Sequence, residues 1–104
     1  MECRASSPEA LHPKGIKEVF TCIHEPKEVV FLGDLHKHVA LVKEVLSDHL
    51  GLKDLSAVFS ENEAIGSDYV LYTYRLFSSG GYVGSCRFVV LGSKLIKSLC
   101  TISR

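Results

Sequence analysis

Three side chains of types that bind metals lie close together at residues 34 to 38. Asp34, His36 and His38 follow a short apolar run that ends at Leu32. Carboxylate and imidazole groups are both ligands of divalent metals. Because alternate residues of an extended chain point to the same side, Asp34 and His36 could face one cation. The spacing therefore makes metal-dependent chemistry the first function to consider.

The segment around this motif resembles the opening of a known enzyme family. Residues 28–36, with the helix that follows them, are similar to the first strand and Asp-x-His motif of the calcineurin-like metallophosphoesterases. In that family the motif supplies two metal ligands, so the resemblance implies that Asp34 and His36 would take those positions. The family's later Gly-Asp, Gly-Asn-His and His motifs have no counterpart after residue 50. The resemblance therefore implies a small or degenerate phosphoesterase-like protein.

The same residues also have a structural interpretation, which we favour. Asp34 would cap the following helix, because its carboxylate can accept hydrogen bonds from the free amides of the first turn. His36 and His38 would then lie exposed on that turn. A two-metal site also needs more ligands than Asp34 and His36 supply. We therefore predict no catalytic residue, no cofactor and no bound metal, and keep Asp34, His36 and His38 as weak metal candidates.

A second group of candidate residues is aromatic and basic and lies in the last third of the chain. Tyrosine and arginine are enriched where proteins bind one another, and tyrosines exposed on a sheet can also stack nucleic-acid bases. We predict a partner-binding surface formed by Tyr72, Tyr74, Arg75 and Arg87. Binding of nucleic acid through the same tyrosines is a third alternative, which the zero net charge disfavours.

Hydrophobic periodicity predicts one helix that would support these groups. Apolar residues recur every three or four positions from residue 35 to residue 50, the pattern of an amphipathic helix. The stripe consists of Leu35, Val39, Val42, Leu46 and Leu50. Gly51 follows at the position where a left-handed residue ends a helix.

Runs of β-branched and aromatic residues predict strands on both sides of this helix. The runs are 16–24 and 28–32, which we expect to form a hairpin, then 56–60, and then 69–77 and 82–91, joined by a turn at 78–81. Residues 61–67 are polar and predict a loop, and residues 94–100 predict a short helix or another strand. The order β-β-α-β-β-β predicts an α+β domain with one helix on a mixed or antiparallel sheet, for example the β-grasp, ubiquitin-like arrangement. Residues 1–14 predict a flexible N-terminal arm, and residues 15–104 a single domain.

Composition limits the partners of this domain. The 104 residues suit one core, and twelve basic residues balance twelve acidic residues, so no net field attracts nucleic acid or an acidic membrane. No apolar stretch approaches the roughly 18 residues that span a membrane. Zero net charge also weakens repulsion between copies, which favours a homodimer.

The cysteine pattern bears on the compartment. The four cysteines, at positions 3, 22, 86 and 100, form no Cys-x-x-Cys pair and do not have the spacing of a zinc finger. The first residues of the sequence lack the apolar core of a secretory signal. We therefore predict four reduced thiols in a cytoplasmic or otherwise intracellular protein.

These observations predict a non-enzymatic protein-interaction or adaptor domain whose partner is another protein or a second copy of the chain. The alternative is the phosphoesterase-like protein centred on Asp34 and His36. A third hypothesis is a nucleic-acid binder that uses the tyrosines of the hairpin predicted at 69–91.

The predicted helix face can be tested by one substitution. Val42→Asp should lower the free energy of unfolding by several kcal/mol, because it places an unpaired charge in the core. Lys43→Ala, at the neighbouring position, should change it by less than about 0.5 kcal/mol. Thermal unfolding measures both variants, and a Val42→Asp protein that melts like the parent would contradict the assigned face.

Overall fold

The computed structural model describes residues 1–6 and 19–103 of the chain. In these residues one long helix packs against one face of a seven-stranded sheet. The elements, in chain order, are β1 (Glu2–Ser6), β2 (Val19–His24), β3 (Val30–Phe31), α1 (Leu35–Leu50), β4 (Leu55–Ile65), β5 (Tyr69–Ser78), β6 (Gly81–Leu91) and β7 (Lys94–Ser103). A helix layer on an antiparallel sheet is an α+β arrangement, so the predicted fold class is confirmed.

The helix forms where the apolar periodicity predicts it. All five side chains of the predicted stripe are buried. The helix ends at Gly51, which has a left-handed φ of 66°, and the amide of Leu52 donates to the carbonyl of Ser47 at 3.1 Å. Within the described ranges, no helix is both long enough and apolar enough to cross a membrane.

The sheet has the spatial order β1-β2-β7-β6-β5-β4, and β3 pairs with the first residues of β7. Each pairing among the described strands is antiparallel. The α+β class therefore holds, whereas the β-grasp topology is not confirmed.

Three features of the predicted strands differ in the structure. β2 and β3 do not form the expected hairpin, because the ten residues of β7 are long enough to pair with both. The loop predicted at 61–67 is largely the second half of β4, whose polar residues pair with β5. For residues 94–100 the sequence left a short helix and a strand open, and the structure bears out the strand as part of β7. Of the predicted arm, Glu2–Ser6 form β1, and residues 7–14 lie outside the described residues, as do residues 16–18 of the first predicted strand.

The hairpin formed by β5 and β6 is confirmed. Its two turn residues, Ser79 and Gly80, have φ values of 51° and 83°. Two consecutive positive φ values are typical of the type I′ turn that matches the twist of antiparallel strands. Both strands are interior, however, since β4 covers β5 and β7 covers β6. The long strand at this sheet edge is therefore β4.

The two faces of the sheet have different surroundings. On β6, Cys86, Phe88 and Val90 point towards α1 and are each 1% exposed, whereas Arg87 points away and is exposed. We call these faces the helix side and the open side. Strand register carries the same division across the sheet, because directly opposed residues share a face.

The cysteines are paired across neighbouring strands. Cys3 on β1 is bonded to Cys22 on β2, and Cys86 on β6 is bonded to Cys100 on β7. Each bonded pair is directly opposed in the strand register. No free cysteine is present in the described residues, so the structure contradicts the prediction of four reduced thiols. Spacing along the chain did not reveal these pairs because register, not sequence distance, brings them together.

One glycine is required by the close approach of β6 and β7. A Cβ atom on Gly84 would overlap the carbonyl oxygen of Thr101 on β7. We expect Gly84→Ala to lower the free energy of unfolding by at least about 2 kcal/mol, since two backbones must separate. Gly33→Ala is the matched control, because no atom lies within 4 Å of its Cβ position. Denaturant unfolding compares the two, and equal stabilities would contradict the close approach.

Candidate functional site

The three predicted metal candidates point in different directions. Asp34 is exposed at the start of α1, where its carboxylate lies 3.8 Å from the Nζ atom of Lys37 and makes no hydrogen bond to the helix amides. The predicted capping role of the Asp34 side chain is therefore wrong. His36 is exposed, whereas His38 is 5% exposed and faces the sheet. The residues do not fit a shared two-metal centre, because their donor atoms do not converge.

His38 belongs to a buried polar cluster instead of the exposed first turn predicted for it. Its Nε2 atom lies 3.2 Å from the Oγ atom of Ser98, which is itself fully buried. The ring of Phe88 meets His38 edge-on at 6.0 Å, and the ring of His24 lies 5.3 Å from it. The sequence carried an indication of this burial. His38 comes three residues after Leu35 and four before Val42, so it falls on the apolar stripe.

The histidine cluster favours neutral rings. Burial lowers the pKa of His38, and the nearby ring of His24 lowers it further. Burial also lowers the pKa of His24, with a smaller contribution from the positive amino terminus. Removal from water disfavours the charged form of a histidine, which explains the direction of both shifts. His24 borders an open cavity of about 520 Å³, so protons reach the cluster from this side.

The four predicted partner-binding residues are divided between the two sheet faces. Tyr72 and Tyr74 lie opposite Phe88 and Cys86, on the helix side, and are half-buried. Arg75 and Arg87 are exposed on the open side. Tyr72 and Tyr74 therefore do not form one surface with Arg75 and Arg87.

A groove lies on the helix side, between α1 and the edge strand β4. It consists of two adjoining cavities of about 230 and 390 Å³ that share Ala40 and Lys43 of the helix. The floor of the first cavity includes Ala57 and Tyr74, and Leu55 lines the second. The groove thus runs along β4 and has a mixed polar and apolar lining.

The strand beside this groove is the long edge of the sheet. Among the described strands, the 11 residues of β4 have a hydrogen-bonded neighbour on one side only. Val58 and Phe59 are 54% and 51% exposed, and the ring of Phe59 meets Tyr74 at 5.5 Å. A β-bulge separates Phe59 from Glu61. The sequence predicted the first half of this strand at 56–60 but missed its second half, because a strand exposed on both faces lacks the alternating pattern of a half-buried strand.

Two glutamates mark the open side of the same strand. Glu61 and Glu63 lie opposite Thr73 and Leu71, and both are exposed. The ion pairs within residues 1–6 and 19–103 are Glu2 with Arg4 and Asp34 with Lys37, so neither glutamate is paired there. The edge therefore combines the carboxylates of Glu61 and Glu63 on one face with a groove of mixed polar and apolar lining on the other.

The described residues contain no group of three or more histidine, cysteine, aspartate or glutamate side chains placed to hold a metal ion. No family model, curated protein or solved structure significantly matches the chain. The geometry of the groove and its edge is therefore the basis for a functional proposal.

The histidine cluster should make stability depend on pH. Because its pKa is lowered in the folded state, His38 binds protons more readily when unfolded. We expect the melting temperature to fall as the pH drops below 6.5, the usual histidine value, towards the lower pKa of the folded protein. His38→Gln should show a shallower loss between pH 7 and pH 5, as followed by thermal unfolding.

The control for this measurement is His49→Gln, at an exposed position near the end of α1. It should keep the slope of the parent. Identical slopes for the parent and His38→Gln would show that the buried ring does not control the acid response.

Proposed function

We propose that this chain is a non-enzymatic protein-interaction domain that binds an extended segment of a partner by strand addition to β4. The observation that carries the proposal is the 11-residue edge strand lying beside a groove under α1. Strand addition obtains its affinity from main-chain hydrogen bonds and its specificity from alternate side chains. The other end of the sheet, β1, has five residues and offers a shorter edge.

The chemistry of the two faces defines the expected partner. Side chains of an added strand would alternate between the helix side and the open side. On the helix side they would meet Ala57, Phe59 and Tyr74, which favours apolar residues. On the open side they would meet Glu61 and Glu63, which favours lysine or arginine. The proposed ligand is therefore a segment in which apolar and basic residues alternate.

The predicted partner-binding residues contribute unequally to this proposal. Tyr74 lines the groove, and Arg75 lies opposite Val58 on the neighbouring edge strand. Tyr72 lies two residues from Tyr74 on β5, opposite Asn62. Arg87 lies on β6, which is separated from the edge strand β4 by β5. We therefore assign Tyr74 and Arg75 to the proposed site and place Tyr72 and Arg87 at its margin.

A second copy of the chain is the other candidate occupant of this edge. Zero net charge and the exposed side chain of Val58 favour self-association. Sedimentation equilibrium distinguishes the two occupants. A dimer that Val58→Lys dissociates, and that Val29→Lys at an exposed site away from β4 leaves intact, would assign the edge to a homodimer.

The predicted cytoplasmic or other intracellular location stays a proposal. It depends on four reduced thiols, whereas the structure pairs the cysteines, a pattern typical of oxidising compartments. Alkylation of the protein in intact cells decides between the two. Four labelled thiols would support the intracellular location, and none would support an oxidising compartment.

Strand addition can be tested by selection from a library of phage-displayed peptides. The parent should enrich peptides in which apolar residues alternate with lysine or arginine. The double variant Glu61→Lys/Glu63→Lys should enrich acidic residues at the same positions, because the charge on the open side of β4 is reversed.

The matched control is Glu25→Lys/Glu28→Lys, which makes the same change of charge at two exposed positions away from the groove. It should keep the basic preference of the parent. A parent that enriches no alternating sequence, or a β4 variant with an unchanged preference, would contradict the proposal.

A further inference from the structure

The four cysteines form one continuous row across the sheet. Cys3 is opposed to Cys22, Cys22 is opposed to Cys100, and Cys100 is opposed to Cys86. The row therefore crosses four neighbouring strands, β1, β2, β7 and β6, on the helix side. The two disulfides occupy its outer pairs, so the central pair of Cys22 and Cys100 is in register but not bonded.

This register brings the Cys3–Cys22 disulfide next to the Cys86–Cys100 disulfide, because Cys22 is directly opposed to Cys100. Directly opposed residues on neighbouring antiparallel strands have Cβ atoms about 4.5–5.5 Å apart. Cys22, Cys100 and Cys86 follow one another in a line perpendicular to the strands. Thiol–disulfide exchange proceeds by attack of a thiolate along the axis of the disulfide, so a line of three sulfurs is the geometry that the exchange requires.

Access to the row is unequal. Cys22, Cys86 and Cys100 are at most 1% exposed, whereas Cys3 is half-buried on the edge strand β1. A thiol from solvent therefore meets the sulfur of Cys3 first. Attack there expels Cys22, whose thiolate is released beside Cys100 instead of into solvent.

We propose that the row is a thiol-exchange relay that accepts a low-molecular-weight thiol at Cys3 and transfers the exchange to Cys86. In the first step the thiolate of the small molecule bonds to the sulfur of Cys3, and the Cys3–Cys22 bond breaks. In the second step the Cys22 thiolate bonds to the sulfur of Cys100, and the Cys86–Cys100 bond breaks. Cys86 leaves as a thiolate and takes up the proton that the small thiol released.

The relay conserves the number of disulfides but moves a covalent link. The two starting disulfides become a mixed disulfide at Cys3 and a Cys22–Cys100 bond, with Cys86 as a free thiol. Before the exchange β1 is tied to β2 and β6 is tied to β7, and afterwards one link remains, between β2 and β7. A second small thiol then releases Cys3 and forms the oxidised dimer of that thiol. The edge strand β1 is thereby held to the sheet by hydrogen bonds alone.

The test is disulfide mapping by mass spectrometry of the purified full chain. Cleavage after lysine and arginine places each cysteine on a separate peptide, since Arg4, Lys17, Arg75 and Lys97 lie between or beside them. The protein is prepared without reductant, treated with reduced glutathione, quenched with acid and labelled with N-ethylmaleimide in denaturant. We expect glutathione on Cys3, the maleimide on Cys86 and a new link between the peptides of Cys22 and Cys100.

Two single variants start the relay without glutathione. In Cys3→Ser the free thiol begins at Cys22, and we expect the maleimide label to divide between Cys22 and Cys86. In Cys86→Ser the free thiol begins at Cys100, and the label should divide between Cys100 and Cys3. If one variant fails to fold, as checked by circular dichroism, the other still gives the result. Cys22→Ser is the matched control, because it should leave Cys86–Cys100 intact under the same glutathione.

Three results would overturn the relay. Label confined to Cys22 in the folded Cys3→Ser variant would show that the central pair does not exchange. In the glutathione-treated parent, an intact Cys86–Cys100 bond with all of the label on Cys3 and Cys22 would also show that the central pair does not exchange. Four labels before any reductant is added would show that the starting disulfides are absent.

Discussion

The antiparallel register of β7 is the constraint on which the rest of the structure depends. This strand pairs with β2 and β3 on one side and with β6 on the other, so it fixes the position of both halves of the sheet. A shift of one residue would move every side chain of β7 to the opposite face. Cys100 and Ile102 would then leave the core, Ser98 would lose its buried position, and α1 would lose the surface on which it packs.

The same register places polar and reactive groups in two neighbouring rows beneath the helix. One row contains His24, Ser98 and Phe88, and α1 supplies His38 above it. The other row contains the four cysteines. Buried polar groups are tolerated only where they have partners. The contact between His38 and Ser98 satisfies this requirement, so helix position and strand register depend on one another.

The edge strand β4 differs from the interior strands in its backbone hydrogen bonding. Interior strands satisfy their backbone groups on both sides, whereas β4 is paired on one side only among the described strands. Edge strands of this kind often carry bulges and charges that oppose unwanted pairing. β4 has a bulge after Phe59 and carries Glu61 and Glu63 beyond it, but its first half has neither. In the proposed strand addition, a ligand would contact α1 from the first half of β4, and Glu61 and Glu63 in the second half would restrict pairing to segments that carry basic residues.

The sequence determined those features that depend on near neighbours in the chain. The helix, its buried stripe and its end at Gly51 follow from local periodicity and backbone preference, as does the turn at Ser79 and Gly80. A strand with one buried face could be located in the same way.

Only the tertiary structure decided which distant residues meet. Cys86 and Cys100 are 14 residues apart, and His38 and Ser98 are 60 apart, yet strand register and helix packing bring each pair into contact. The length of β4 was underestimated, because its polar second half is held as a strand by pairing with β5 and not by the pattern of its own side chains. Local patterns specify which face of an element is apolar, but the partner of that face is chosen by burial and hydrogen bonding over the whole domain.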